Sequence, residues 1–417
     1  MRDKRVTVAL PARSVGELTQ DRSGLVRWRP DAAWERDGQE PRLGLDFLRR
    51  TGQRSEANGL PAWFENLLPE RGSELRSRLS AFYALREGQS FELLRALGRD
   101  LIGAIEVRRG REIKDDESEE PESAVEVPSQ GDDSSVRMSG LTGLQMKFSM
   151  SMVNERLVLP ARRGQAEWIV KTAGREYPEL AAVEDSTMTW ARHAGFAVPE
   201  HMAIPFDRLD GIPVGWVDGE APVFSVRRFD RRDDGGRIHQ EDLCQALELR
   251  PANKYGDCEP RVSFEGALRL VTDACGEEDG YEMARRIGFM IASGNTDAHL
   301  KNWTLVWGDR PRPTLSPCYD LVSTISWSQL GWARRDGPEL ALRIGGRRHF
   351  RMLDERELVA FAAGSRPWAT DAVLTGIRLA RDAWPAVFRD APLRMREALA
   401  THWEAVPLLR RLGPLAG

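Results

Sequence analysis

The sequence predicts an α+β protein with two lobes, a β-rich one followed by a mainly helical one. Strand-like apolar runs dominate from Arg137 to Phe229, whereas helical patterns dominate after His239. An acidic stretch without aromatic side chains, residues 112–136, separates the two lobes from an N-terminal region of about 110 residues. The chain has 417 residues, which is enough for several units that each bury a core.

Composition and charge exclude several classes of protein. Hydrophobic residues make up 41% and charged residues 30% of the chain, as in soluble globular proteins, and the net charge of −4 argues against a whole-chain polyanion binder. We find no signal peptide and no run of about 18 apolar residues, so we expect no membrane span. The cysteines show no CxxC spacing, which argues against a zinc site and predicts a reducing, cytoplasmic location; they are Cys244, Cys258, Cys275 and Cys318.

The N-terminal region, residues 1–111, is predicted to be a small mixed domain. Val6, Val8 and Leu10 alternate with polar residues and predict a strand, and residues 24–28 predict a second one after a turn. Residues 112–136 are expected to be an exposed flexible linker, with a charge-based docking tail as the alternative. Further elements are expected as a short helix within 59–69, helices at 75–85 and 91–97, and a strand at 102–107.

The two lobes follow this linker. Residues 137–229 are predicted to form the β-rich lobe and residues 230–417 the helical lobe, in which Gly345-Gly346 turns a hairpin over 340–350. Strands are expected at 141–152, 157–159, 168–172, 198–205, 214–216 and 223–229, and helices at 180–193, 241–249, 264–275, 281–292, 355–363, 370–383 and 391–409.

A polar loop, SGNTDAHLKN at 293–302, lies between an apolar helical run and a strand-like run at 303–307. It places Asp297 five positions before Asn302. A protein-kinase catalytic loop has this spacing, and there the Asp accepts the proton of the substrate hydroxyl while the Asn binds Mg²⁺. The spacing also occurs by chance, so the prediction depends on whether the other parts of a phosphoryl-transfer site follow in order.

Phosphoryl transfer needs a cation on the phosphates and a further metal ligand. Lys171 ends the apolar strand WIVK and can serve as that cation; the alternative is an edge-strand lysine that favours solubility. Glu184, in the next helix, can orient Lys171, or it is an exposed helix residue. Asp320, in SPCYD after the strand that follows the loop, is placed like a kinase's second metal carboxylate, with a turn residue or helix cap as the alternative.

A glycine turn precedes these residues. The run from Gly140 through Gly143 to Lys147 can cover phosphates with backbone N–H groups, or it is an ordinary turn. His299 has no second histidine at ligand spacing, so a structural role in the loop is favoured over a zinc site. The order of turn, lysine, glutamate, Asp–Asn pair and aspartate predicts a phosphotransferase with a two-lobed protein-kinase-like fold.

Through these motifs the chain resembles the HipA family of bacterial serine/threonine kinases, the toxins of toxin–antitoxin pairs. The match runs over nearly the full length. The segments that carry it are GLPAWFENLLPE at 59–70, LLRALGRDLIGAIEV at 93–107, LTGLQMKFSM at 141–150, VRRFDRR at 226–232 with HQEDLCQAL at 239–247, GNTDAHLKNW at 294–303 and SPCYDLVST at 316–324.

The resemblance implies a Mg-ATP-dependent kinase and a role for each matching residue. Asp297 would be the catalytic base, and Asn302 and Asp320 would bind Mg²⁺. The segment 226–229 would hold adenine through its backbone. Nucleotide-site residues would be Lys171 at the phosphates, Glu184 beside it, Gly143, Gln145 and Lys147 at the turn, Arg228 and Phe229 near adenine, and His299 in the loop.

The resemblance also implies partners. A small HipB-like, DNA-binding antitoxin would restrain the kinase, DNA would be contacted only through it, and the substrate would be a translation component such as an aminoacyl-tRNA synthetase. From the residues themselves, an ATP-binding scaffold or co-repressor and a small-molecule phosphotransferase remain alternatives. We find no Ala-Pro-Glu segment, so activation-loop control of the eukaryotic kind is not expected.

Two positions depart from the family pattern. Gly140 stands where many members carry a regulatory serine whose autophosphorylation silences the kinase, which leaves Ser139 and Thr142 as candidate autophosphorylation sites. Arg227 stands in the adenine-holding segment where glutamate is common. These departures concern self-silencing and the adenine contacts, and they leave the proposed base and metal ligands in place.

Overall fold

The computed structural model describes residues 3–11, 13–57, 59–98, 101–109, 146–159, 166–172, 177–212, 221–257, 259, 262–308, 312–333 and 337–415. The predicted linker at 112–136 and the predicted strand at 214–216 lie outside these residues. Gly143 and Gln145, which were predicted to line the phosphate turn, also lie outside them. So do the candidate autophosphorylation sites Ser139 and Thr142.

The N-terminal region forms an antiparallel sheet with short helices against it. Its strands are ordered β4-β3-β2-β1-β5. The predicted strand at 102–107 begins only at Glu106, because the carbonyls of Leu101 and Gly103 accept hydrogen bonds from arginine side chains instead of a neighbouring strand. The elements are β1 (Lys4–Leu10), β2 (Arg13–Gln20), β3 (Val26–Pro30), α1 (Ala32–Arg36), α2 (Leu45–Arg49), β4 (Arg54–Glu56), α3 (Ala62–Glu65), α4 (Glu74–Phe82), α5 (Ser90–Leu97) and β5 (Glu106–Arg109).

The second sheet forms the β-rich lobe and has the order β10-β7-β6-β8-β11-β9. The strand that carries Lys171 is interior, and its antiparallel register sets Lys171 opposite Lys147 on one side and Phe224 on the other. The predicted helix at 180–193 has the expected bounds. The elements are β6 (Met146–Val153), β7 (Arg156–Val158), β8 (Trp168–Thr172), α6 (Leu180–His193), β9 (His201–Ile204), β10 (Leu209–Asp210) and β11 (Val223–Arg227).

The helical lobe also contains a three-stranded and a two-stranded sheet. Its elements are β12 (His239–Asp242), α7 (Leu243–Ala246), α8 (Phe264–Cys275), α9 (Glu277–Ser293), β13 (Thr304–Trp307), β14 (Thr314–Leu315), β15 (Glu339–Ile344), β16 (Arg347–His349), α10 (Glu355–Gly364), α11 (Ala369–Ala383), α12 (Leu393–Ala405) and α13 (Pro407–Arg411). In the described residues, no helix is both long enough and apolar enough to cross a bilayer.

Three predicted helices of this lobe need correction. The helix expected at 241–249 is wrong in its first part, because residues 239–242 pair with β13 and Asp242 then caps the short α7. The helix expected at 391–409 is two helices, since Pro407 starts α13 and cannot donate a hydrogen bond to the preceding turn. The helix expected from 281 starts at Glu277, where three acidic residues lie in the first turn.

Helices α9 and α11 pack through glycines, which brings their backbones unusually close. A Cβ added to Gly376 would lie 1.9 Å from the carbonyl oxygen of Arg285, and one added to Gly288 would lie 2.1 Å from that of Val373. Helix α9 leads directly into the predicted catalytic loop, so this contact fixes the start of that loop against the rest of the lobe.

Two hydrophobic cores hold the described residues together. The larger one lies in the helical lobe and includes α6. The smaller one is shared, because side chains of the N-terminal sheet such as Val8 and Trp28 pack in the same cluster as Phe148, Val170 and Val223 of the second sheet. The N-terminal region and the β-rich lobe therefore bury their apolar faces against each other.

The N-terminal region also contacts the helical lobe through a buried carboxylate. Glu241 Oε1 accepts the amide of Leu45 at 2.7 Å, and its Oε2 accepts the indole N–H of Trp63 at 3.2 Å. Burial raises the pKa of Glu241 to about 8, and the neighbouring Asp242 adds to the effect. Gly44 lies so close that a Cβ there would come within 2.4 Å of this carboxylate.

A second buried carboxylate joins the N-terminal region to the segment after β11. Asp230 accepts the amide of Gly103 at 2.7 Å and forms ion pairs with Arg228 at 2.8 Å and Arg231 at 2.9 Å. Burial opposes ionisation, but these two guanidinium groups hold the pKa of Asp230 well below its usual range. Asp230 is therefore ionised and holds the segment between the two lobes in place.

Candidate active site

Lys171 lies at the centre of the candidate site. Its ammonium group donates hydrogen bonds to Glu184 on α6 and to Asp320 on the segment after β14. The side chains of Lys171 and Glu184 are only 5% and 1% exposed, and that of Asp320 is 25% exposed. These positions rule out a solubilising edge-strand lysine and an exposed helix glutamate, the two alternatives from the sequence.

A second lysine faces the same aspartate. Lys147 Nζ lies 3.5 Å from Asp320 Oδ2, as expected from the register that pairs Lys147 with Lys171 across the sheet. Two cations therefore surround one carboxylate, with Glu184 behind them. Such an arrangement can hold a polyphosphate, because the ammonium groups are positioned before any ligand arrives.

Burial and the ion pairs set the charges of this cluster. Burial lowers the pKa of Lys147, whereas the pKa of Lys171 is raised because Asp320 and Glu184 outweigh burial. Burial raises the pKa of Glu184 to about 7. Burial acts in the same direction on Asp320, but the two lysines hold its pKa well below the usual range, so Asp320 is a carboxylate at neutral pH.

The backbone at Asp320 adopts a left-handed conformation, with φ of +56°. A residue with a Cβ adopts this conformation at a cost of roughly 1 kcal/mol or more, and such strain concentrates at functional sites. The preceding residue anchors the turn, since the Tyr319 hydroxyl donates to the carbonyl of Lys301 at 2.8 Å. The ring of Tyr319 also contacts Phe229, with centroids 5.5 Å apart. The strained turn is therefore held by the predicted catalytic loop.

The loop at 293–302 begins where α9 ends at Ser293. The amide of Asp297 donates to the side chain of Asn295 at 2.8 Å, and the side-chain amide of Asn302 donates to the carbonyl of Asp297 at 2.7 Å. Asn302 also lines the same small pocket as Tyr319, so it lies beside the segment that carries Asp320. The structure thus brings the two ends of the Asp–Asn motif together and places Asn302 next to the Asp320 turn.

The side chain of Asp297 points outward and is 51% exposed. The hydroxyl of Tyr255 donates to its Oδ1 at 2.5 Å. His299 Nε2 lies 3.8 Å from the same oxygen, too far for a hydrogen bond, and burial lowers the pKa of His299. Asp297 is therefore accessible to a substrate hydroxyl, and His299 is a buried neutral side chain within the loop.

Sequence reasoning missed two residues of this site. Tyr255 lies 42 residues before Asp297, and no pattern in the sequence connects them. Lys301 is buried and donates to Asp242 at 2.7 Å and to the side chain of Asn66 at 3.0 Å. A lysine inside a loop flanked by apolar runs was a signal for a buried partner, but it did not reveal which carboxylate would pair with it.

The segment 226–229, which was predicted to hold adenine, is only partly free to bind a ligand. The amides of Arg227 and Arg228 donate to the carbonyls of Glu200 and Glu167, each at 2.8 Å. The side chain of Arg228 is buried against Asp230 and does not serve as an exposed ligand-binding cation. A nucleotide contact by this segment therefore depends on other backbone groups near Phe229, and it stays a prediction.

The donor set suits Mg²⁺ rather than a softer metal. Asp320 offers a charged oxygen and Asn302 an amide oxygen, and Mg²⁺ prefers such hard ligands, completing its shell with water and phosphate oxygens. In the described residues, no cluster of three or more His, Cys, Asp or Glu side chains could hold a metal by itself.

The β-rich lobe contains a buried Lys–Glu pair. The helical lobe contains an Asp–Asn loop and an aspartate at the position of a kinase's metal ligand. Together these features define a protein with a kinase-like fold. Comparison with known proteins agrees. Residues 6–108 match the HipA N-terminal domain and residues 139–384 match the HipA-like C-terminal domain. The chain belongs to the HipA family.

Similar proteins cover most of the chain. A Sinorhizobium fredii protein named "Putative kinase Y4dM" is 30% identical over 420 residues, which span 97% of each chain. The serine/threonine-protein kinase toxin HipA of Shewanella oneidensis is 28% identical over 345 residues, 74% of this chain and 72% of that one. A solved complex of Shewanella oneidensis HipA, HipB and operator DNA contains a chain that matches with a TM-score of 0.72 and 22% identity, covering 98% of this chain and 99% of the other.

Proposed function

We propose that this protein is a Mg-ATP-dependent serine/threonine protein kinase that acts as the toxin of a toxin–antitoxin pair. The observation that carries the proposal is the buried group formed by Lys171, Glu184 and Asp320, positioned beside a loop in which Asn302 holds the backbone of Asp297. A protein kinase needs such a lysine, metal carboxylate, base and metal amide. The family membership and the relative named a serine/threonine-protein kinase toxin support the same function.

Each residue of the candidate site has a separate proposed role in phosphate transfer. Asp297 accepts the proton of a serine or threonine hydroxyl, while the hydroxyl oxygen forms a bond to the γ-phosphorus and the bond to the β–γ bridging oxygen breaks, releasing ADP. Lys171 and Lys147 bind phosphate oxygens, and Glu184 keeps Lys171 in place. Asn302 and Asp320 would hold Mg²⁺, which supplies charge neutralisation on the phosphates.

The proposal extends to partners. A HipB-like antitoxin would bind this protein and connect it to DNA, which is supported by the likeness to the HipA chain of a HipA–HipB–operator complex. The substrate would be a translation component such as an aminoacyl-tRNA synthetase, and the location would be the cytoplasm. These assignments rest on the family resemblance, and phosphoprotein mapping in cells that express the protein tests the substrate.

The direct test is mass spectrometry of the purified protein with Mg-ATP, in parallel with Asp297→Gln. We expect phosphate on added lysate proteins, or on the chain itself at Ser139 or Thr142, and a loss of at least about 100-fold in rate in the variant. Mg-ATP binding without any phosphate transfer would contradict the kinase proposal and favour an ATP-binding scaffold. Labelling of small alcohols alone would favour a small-molecule phosphotransferase.

A further inference from the structure

The side chain of Asp297 is oriented by a residue that lies outside the kinase motifs. The Tyr255 hydroxyl donates to Asp297 Oδ1 at 2.5 Å, whereas Asn295 and Asn302 hold only the backbone of Asp297. An aspartate that is half exposed would otherwise sample several rotamers. Because a carboxylate has two oxygens that each accept hydrogen bonds, the contact at Oδ1 leaves Oδ2 for a substrate hydroxyl.

We infer that Tyr255 is a positioning residue for the base Asp297, an inference that rests on the proposed kinase function. A base must lie within hydrogen-bond reach of the proton it accepts, and a misplacement of about 1 Å can lower a rate by roughly 100-fold. Tyr255 restricts the carboxylate from one side without covering it. Its hydroxyl therefore contributes to the rate of phosphate transfer and not to the binding of ATP.

Tyr255 is itself held firmly enough for this role. Its ring packs on that of His299 in an edge-to-face arrangement, with centroids 5.1 Å apart and planes at 78°. The guanidinium group of Arg348, on the β15–β16 hairpin, donates to the carbonyl of Tyr255. Burial and the adjacent Asp297 both raise the pKa of Tyr255, so its hydroxyl stays protonated and donates throughout the neutral range.

The segment that carries Tyr255 also contacts the N-terminal region. Lys254, next to Tyr255, forms an ion pair with Glu70 at 2.7 Å, and its ammonium lies 5.2 Å from the centroid of the Tyr255 ring. The carbonyl of Lys254 also accepts the amide of Leu300 in the catalytic loop at 3.2 Å. The segment that presents Tyr255 is therefore fixed between the N-terminal region and the loop that it serves.

The decisive variant is Tyr255→Phe, which keeps the ring and removes only the hydroxyl. Tyr281→Phe is the matched control, because Tyr281 lies in the first part of α9, where its hydroxyl donates to Asp371 at 2.9 Å, and the loop follows the other end of that helix. We expect kcat to fall about 10-fold or more in Tyr255→Phe, with the KM for ATP and the melting temperature close to those of Tyr281→Phe. An unchanged or increased kcat in Tyr255→Phe would overturn the inference, an increase meaning that the hydroxyl blocks the base.

A crystal structure of Tyr255→Phe gives a readout that does not depend on activity. We expect the Asp297 carboxylate to lose its single orientation, and a carboxylate that keeps its orientation would overturn the inference. Absence of phosphate transfer in the wild-type protein would instead contradict the kinase proposal, and the crystal structure would still decide whether Tyr255 orients Asp297.

Discussion

Glu241 should make the stability of this protein fall as pH rises, and replacing it with glutamine should remove that contribution. The carboxylate is fully buried between the N-terminal region and the helical lobe, where it accepts the amide of Leu45 and the indole N–H of Trp63. Burial raises its pKa from 4.5 to about 8, so the folded protein keeps the side chain protonated at neutral pH.

The magnitude follows from proton linkage. Above pH 4.5 the unfolded chain releases this proton, whereas the folded protein retains it until about pH 8. The stabilisation by protonated Glu241 is therefore complete below about pH 4.5 and is lost as pH rises through the window that ends near pH 8. Each pH unit in this window removes about 1.4 kcal/mol, so the interval from pH 5 to pH 7.5 removes roughly 3 kcal/mol.

Glu241→Gln has no proton to lose and so lacks this dependence. Its amide nitrogen faces one of the two N–H donors, which should cost about 1 kcal/mol at pH 5. Between pH 5 and pH 7.5 the variant should gain roughly 3 kcal/mol relative to the wild type, and it becomes the more stable protein near neutrality. Urea unfolding of both proteins at several pH values measures this difference. A difference that stays constant with pH, or that grows in favour of the wild type, would refute the reasoning.

Three further perturbations test other contacts. Asp230→Asn should lose about 3 kcal/mol at pH 7, because two buried guanidinium groups lose their carboxylate. This deficit should shrink below about pH 4, because the unfolded wild type then takes up a proton at Asp230 that the folded protein does not; urea unfolding at pH 7 and pH 3 checks both signs. Lys171→Met should destabilise the ligand-free protein by about 2–4 kcal/mol and abolish ATP binding, and unchanged thermal unfolding would contradict the ion-pair assignment. Gly376→Ala should cost about 1–3 kcal/mol in urea unfolding because its Cβ meets the backbone of α9, whereas Gly88→Ala, where a Cβ meets nothing within 4 Å, should be nearly neutral.

The fold followed from the sequence wherever one periodicity dominated. The helices at 180–193 and 264–275 have the predicted bounds because their apolar residues recur with helical spacing and Ser263 caps the second. Residues 241 and 242 were assigned to a helix that runs to Leu249, and in the structure they belong to the strand at 239–242. They form a strand because β13, more than 60 residues later, supplies its hydrogen-bond partners. Pairing over such a distance leaves no local pattern.

The candidate site could be predicted where its charged side chains lie within short sequence motifs. Lys171, Glu184 and Asp320 were chosen from separate segments, and the structure brings their charged groups together. The orientation of Asp297 was not predictable, since Tyr255 reaches it only through tertiary packing. The buried role of Arg228 was also hidden, because its partner Asp230 is held in place by the amide of Gly103 in the distant N-terminal region.

The core shared by the N-terminal region and the β-rich lobe limits how the gene can be divided. If residues 3–109 were expressed as a separate polypeptide, the β-rich lobe would expose an apolar surface to water that includes Phe148, Val170 and Val223. Two polypeptides made from separate open reading frames would therefore have to find each other and reassociate through this face before either was fully folded. Recombination that replaced only the N-terminal region or only the β-rich lobe would also have to supply side chains that pack against the region that was kept.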